Sequence, residues 1–261
     1  MRAKKILSTL FSLLLCATIF SGCSQNASQN KQNEVNAAFA EAVEKFKNTT
    51  HEHKVDILEA SDPSIVWDDD TVKSIKWEAE INYEVRKNSE GRVTDDKIIK
   101  LIQTKTHTST DGTSKITKTY LPDDGFKYVA SDDEKYKYEY EPSFDSFGYT
   151  YTYLNPEALE NLELTVDGSR KVFNFTIRKV LRFAYFDCGG YALWDSNVEL
   201  VDYSGTLTVN ENDDNVTLVL NIGYKDKVTG ATLKHTTTSE RYNSTHKLSF
   251  PSDLSTYKEQ K

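Results

Sequence analysis

Cysteine, proline, basic charge and catalytic signatures are all scarce in this chain. Of 261 residues only 3 are cysteines, and two of them, Cys16 and Cys23, lie at the N-terminal end. That leaves Cys188, so there is no internal disulfide framework and stability must come from burial; Cys188 reads as a small buried residue. Lys and Arg number 32 against 40 Asp and Glu, a formal charge of −8. Such a surface repels phosphate and argues against nucleic acid as a partner. Gly-rich phosphate loops, Cys-x-x-Cys, His-Glu-x-x-His and Gly-x-Ser-x-Gly are absent, which speaks against the common enzyme classes. The chain is not expected to be an enzyme, and no cofactor is implied.

What the sequence does have begins at residue 1. Arg2, Lys4 and Lys5 precede an apolar run from Ile6 to Phe20. Fifteen residues are too few to cross a roughly 30 Å hydrocarbon core comfortably, so the run reads as a removed export signal rather than a retained anchor. Phe20-Ser21-Gly22-Cys23 resembles the lipobox of bacterial lipoproteins, with Phe20 where that family usually has an aliphatic residue. The resemblance implies a diacylglyceryl thioether on Cys23 as the mature N-terminus, and two acyl chains anchor stably where one would be marginal. A plain secretory signal with an incidental cysteine is the alternative. The expected organisation is a lipoprotein signal over 1–22, the lipidated Cys23 and a flexible polar tether over 23–33, and one β-rich domain over 34–257. The expected location is the cell membrane, lipid-anchored on the extracytoplasmic face. Loss of the three basic residues with the signal takes the formal charge from −8 to −11.

Residues 34–47 place Val35, Ala38, Phe39, Ala42, Val43 and Phe46 at helical spacing, predicting an amphipathic helix that ends at Asn48-Thr49-Thr50. The period then changes to two. Trp77 to Val85 alternates apolar and polar throughout, as a strand with one buried face does. Further strands are predicted at 98–108, 116–121, 126–129 and 136–141, with Thr110-Asp-Gly-Thr113 as a tight hairpin between the first two. Asn155-Pro156-Glu157 predicts a short helix over 156–162. Strands resume at 172–177, 205–209, 216–224, 232–242 and 246–250. Residues 181–200 read as an irregular, aromatic flap around Cys188-Gly-Gly190, too apolar for open exposure.

The order of elements, an N-terminal amphipathic helix, a long meander interrupted near Asn155-Pro-Glu-Ala-Leu159, and a last hairpin running into Leu248-Ser-Phe-Pro-Ser-Asp-Leu254, resembles lipoproteins whose domain is like the periplasmic carrier LolA and the mycobacterial LppX and LprG proteins. The resemblance covers residues 34–257. It implies a mainly β fold: a single curved antiparallel sheet, a half-barrel, with the N-terminal helix and the helix near 156–162 covering the concave face over an apolar cavity. In some relatives that cavity receives acyl chains.

A meander with one apolar face must cover it, and few helices are available, so either side chains or a ligand fill the space. The expected role is a non-enzymatic binding module for a lipid or other amphiphile. The candidate cavity residues are Phe144, Phe147, Tyr151, Phe183, Phe186, Tyr191 and Trp194, with Tyr138 and Tyr140 on the wall. The alternative is an envelope protein-interaction module with a filled core. The best case for an enzyme would be His51 and His53 gathered with a carboxylate. The five histidines are scattered and the acidic clusters at 68–70, 132–134 and 213–214 lack the spacing of a calcium loop, so no metal site is expected.

Overall fold

The computed structural model describes residues 29–61, 66–67, 70–132, 134–141, 145–146, 154, 156–178, 198–213, 215–228, 230–245 and 247–260. The signal run, Cys23, Cys188, Phe144, Phe147, Tyr151, Phe183, Phe186, Tyr191 and Trp194 lie outside them. The protein is mainly β, with one N-terminal helix and a single open, curved sheet.

The helix α1 occupies residues 29–47 and starts inside the segment expected to be tether. Paired side-chain amides spaced one turn apart extend it: Gln29 Nε2 donates to Asn33 at 3.4 Å and Gln32 Nε2 to Asn36 at 3.1 Å. Its C-terminal end is fixed by Thr49, whose buried hydroxyl donates to the Phe46 carbonyl at 2.8 Å.

The sheet is built from two meanders that meet at its centre. β1 (His51–Ala60), β3 (Asp70–Lys87), β4 (Val93–Ser109), β5 (Ser114–Leu121), β6 (Phe126–Ser131) and β7 (Glu134–Glu139) run to one edge. β13 (Thr232–Tyr242), β12 (Val216–Asp226), β11 (Val198–Asn210), β10 (Arg170–Ile177) and β9 (Leu159–Asp167) run to the other. β1 joins the halves, pairing antiparallel with β3 on one side and β13 on the other. Two short strands, β2 (Val66–Trp67) and β8 (Asp145–Ser146), pair with β3 and β4. β14 (Lys258–Glu259) adds the only parallel pairing among the described strands, against β7. The hairpin predicted at 110–113 joins β4 to β5: Gly112 takes φ +87°, and Asp111 Oδ1 accepts both the Thr113 amide, at 2.8 Å, and its hydroxyl, at 2.7 Å.

Three expectations are corrected. The helix over 156–162 is a single 3-10 turn at Pro156–Ala158, followed directly by β9. The three-residue spacing of Leu159 and Leu162 comes from a bulge opposite Asn174 and Thr176, where Asn161 adopts φ +53°. No strand occupies 247–250. Pro251 has no amide hydrogen for a ladder, and Phe250 packs with Leu254 and Tyr257 against Tyr120 and Tyr128. β11 begins at Val198, within the segment read as a flap.

Candidate functional site

The register fixes which side chains share a face, because directly opposed residues of neighbouring strands point the same way. Four rows cross the centre of the sheet on one face. The first runs Val209, Val216, Arg241, Glu52, Ile81, Leu101 and Leu121 from β11 to β5. The second runs Leu207, Leu218, Ser239, Lys54, Ala79, Gln103 and Thr119 along the same strands. In the third, Gly205, Leu220, Thr237, Asp56, Trp77, Lys105 and Thr117 align, and in the fourth Tyr203, Ile222, His235, Leu58, Ile75, His107 and Lys115. β11 and β12 are therefore an apolar wall, β13 and β1 a polar ladder, and β3 a second apolar strip.

One end of the ladder is closed. Glu52 is 2% exposed and Arg241 1%. Arg241 Nη2 donates to Glu52 Oε2 at 3.2 Å, Tyr83 donates its hydroxyl to the same oxygen at 2.5 Å, and Ser239 donates to Oε1 at 2.5 Å. Asp96 Oδ2 lies 3.5 Å from Arg241 Nη2. The guanidinium carbon sits 4.7 Å from the Phe46 ring centroid and 4.5 Å from that of Tyr83, so the cation also meets two aromatic rings. Burial alone would raise the Glu52 pKa, but Arg241, Lys54 and the Ser239 and Tyr83 hydroxyls more than offset it and hold the carboxyl below its ordinary range.

The other end is more open. Asp56 Oδ1 accepts from the Thr237 hydroxyl at 2.6 Å and lies 3.6 Å from His235 Nε2, while its Oδ2 is 3.1 Å from Lys54 Nζ. Against the opposing effect of burial, these three partners pull the Asp56 pKa down to about 2. Leu58, Ile75, Trp77 and Leu233 pack beside this group, and Lys105 Nζ stands 5.8 Å over the Trp77 ring.

No protein-family model matches the chain, and no curated protein matches it. Its chemistry is therefore read from the residues themselves.

Tyr138 and Tyr140 lie half-buried at the β7 edge. Tyr136 faces Val129, which opposes Thr119 of the second row, so Tyr138 shares the ladder's face. Its ring stacks on Tyr136, centroids 6.5 Å apart, and Lys127 Nζ stands 5.6 Å from Tyr138 and 6.0 Å from Tyr140. β7 is five strands from β1, so these tyrosines lie about 24 Å from the ladder as measured along the sheet.

His51 and His53 point to the opposite face. The His51 ring stacks on Tyr242 with centroids 5.8 Å apart, and His53 Nδ1 is 2.7 Å from Glu80 Oε1. Among the described residues no group of three His, Cys, Asp or Glu side chains is placed to hold a metal ion. The ladder itself, Glu52, Lys54, Asp56, His235, Thr237, Ser239 and Arg241, was not singled out from the sequence. Its signal is β13: a strand polar at both alternating sets of positions, beside the apolar β12, carries its polarity inward as well as outward.

Proposed function

We propose that the protein is a lipoprotein anchored through Cys23 on the extracytoplasmic face of the cell membrane, where it acts as a non-enzymatic binding module for a lipid or other amphiphile. In this reading the sheet is a half-barrel of the LolA and LppX kind. One observation carries it: a single sheet face sets a polar ladder between two apolar strips, the pattern that matches a molecule with a headgroup and a chain. Lys54 and Asp56 stand in the middle of that face, where a face filled only by apolar side chains would carry neither.

The test is native mass spectrometry and solvent extraction of protein purified without its lipid anchor. A co-purifying amphiphile, or saturable uptake of a fluorescent fatty acid, is the expected result. Absence of both overturns the proposal. The anchor is tested separately by Cys23→Ala, which releases the protein from membranes.

An envelope protein-interaction role is the second reading. It draws support from β9, a nine-residue strand at the end of the sheet order, whose outer backbone groups suit strand addition by a partner. Crosslinking in cells that traps one dominant protein through β9 favours it.

A further inference from the structure

We infer that the ladder face selects an anionic headgroup, a carboxylate or phosphate at the end of an apolar chain, received between Lys54, Lys105 and His107. The inference rests on the amphiphile reading above and concerns its polar end.

The first observation is a charge asymmetry. The whole chain has an excess of acid, 40 Asp and Glu against 32 Lys and Arg. Yet the second, third and fourth rows of the ladder face, from β13 to β5, carry Lys54, Lys105 and Lys115 with His107 and His235, against Asp56 alone. The opposite face of the same strands carries Glu59, Glu78, Glu80 and Glu240 against Lys76, Lys118 and Lys234, with His51 and His53, so the lysines outnumber the carboxylates on the ladder face alone. An acidic protein thus concentrates cations on the face that also holds the apolar strips. Electrostatic attraction there acts on an anion beside low-dielectric walls, where it is screened less than at an open surface.

The second observation is His107. Its Nε2 is buried and has no hydrogen-bond partner among the described residues. A buried polar atom of this kind is ordinarily satisfied, and leaving it without a partner costs about 1–3 kcal/mol. As the Nε2–H tautomer it donates to an oxygen anion. The register places His107 beside Ile75 on β3 and diagonal to Trp77. β1 and β4 flank β3 and stand about 10 Å apart, a gap that one headgroup closes between two lysine side chains. The half-buried Trp77 ring lies between them as an apolar platform for the first methylenes.

Asp56 does not oppose this arrangement. Its two oxygens are engaged by Thr237, His235 and Lys54, which brings the Lys54 ammonium to the centre of the face.

The test is calorimetric titration of the full chain with a medium-chain fatty acid, the alcohol of the same chain length, and inorganic phosphate. The fatty acid is expected to bind roughly ten- to a hundredfold tighter than the alcohol, the worth of a hydrogen bond to a charged group. The double variant Lys54→Gln with Lys105→Gln should bring the fatty acid down to the alcohol's affinity. Lys105→Gln alone, which leaves the Lys54–Asp56 pair in place, should lose part of the preference. Equal affinity for acid and alcohol overturns the headgroup assignment and leaves the amphiphile reading standing. Binding of neither overturns both. Phosphate competing as well as the fatty acid reassigns the site to a small anion and overturns the headgroup.

Discussion

Glu52 and Arg241 oppose each other directly across β1 and β13, although 189 positions separate them, and their side chains meet at 3.2 Å with almost no exposure to water. Two charges removed from solvent this completely are held by geometry: Glu52 accepts from Tyr83, Ser239 and Arg241 together.

Breaking that arrangement from one side is expected to be costly. Glu52→Gln removes the nearer of two carboxylates from a buried guanidinium, leaving Asp96 at 3.5 Å, and should lower stability by about 3 kcal/mol in chemical denaturation. Glu52→Leu combined with Arg241→Met should recover part of that loss, because the two most deeply buried charges are then removed together. Strictly additive losses would refute the coupling.

Asp56 predicts an acid limb. Its folded pKa of about 2 is depressed from an unfolded value near 3.8, so its contribution is complete above about pH 4 and disappears as pH falls through 2. The shift corresponds to about 2 kcal/mol. In a stability profile measured from pH 6 downward, to about pH 2, Asp56→Asn should be less stable at the neutral end and show a shallower decline at the acid end.

Gly205 is needed for close approach rather than for its dihedrals. A Cβ there would lie 2.4 Å from Phe175 Cζ and 2.9 Å from Leu220 Cδ2. Gly205→Ala should therefore cost about 1–3 kcal/mol through overpacking. Added to Phe175→Leu, which removes the obstructing ring, the same change should cost much less, and equal costs in both backgrounds would refute the contact.

At the β6 end, the Tyr128 hydroxyl donates to Asp124 Oδ2 at 2.7 Å. Burial first, and then this bond and the carboxylate charge, raise the phenol to about 12. The raised value means that its contribution is complete below about pH 10 and is lost as pH rises toward 12. Spectrophotometric titration should show a tyrosine ionising at about pH 12 in the native protein, moved to lower pH by Asp124→Asn.

The strands that alternate cleanly were legible without coordinates. Trp77 to Val85 lies within β3, and the Val216 to Tyr224 alternation lies within β12, because each has one apolar and one polar set. β1 was not, since His51-Glu-His-Lys-Val-Asp-Ile-Leu-Glu-Ala60 carries charge at both sets of positions and shows no period. The same property hid the ladder: Glu52 and Asp56 look like surface residues until pairing with β13 supplies Arg241, Thr237 and His235. Asn155-Pro156-Glu157 misled in the opposite direction, because the signals that start a helix do not set its length: the turn at Pro156–Ala158 gives way at once to β9. Tyr138 and Tyr140 were read as cavity wall from their alternation, but their distance from β1 is a matter of strand order, which spacing within one strand does not encode.

The position of β1 at the centre of the sheet governs the order in which the protein can be completed. β1 is the first strand to be synthesised and β13 the last long one, so the two meanders remain unjoined until nearly the whole chain has been made. Until then Glu52 waits for Ser239, 187 positions later, and for Arg241 beyond it. A chain cut short before Arg241 keeps β1 and β3 but would bury a carboxylate with no cation across from it. The ion pair at the seam therefore ties the two meanders together only once the chain has been made through Arg241.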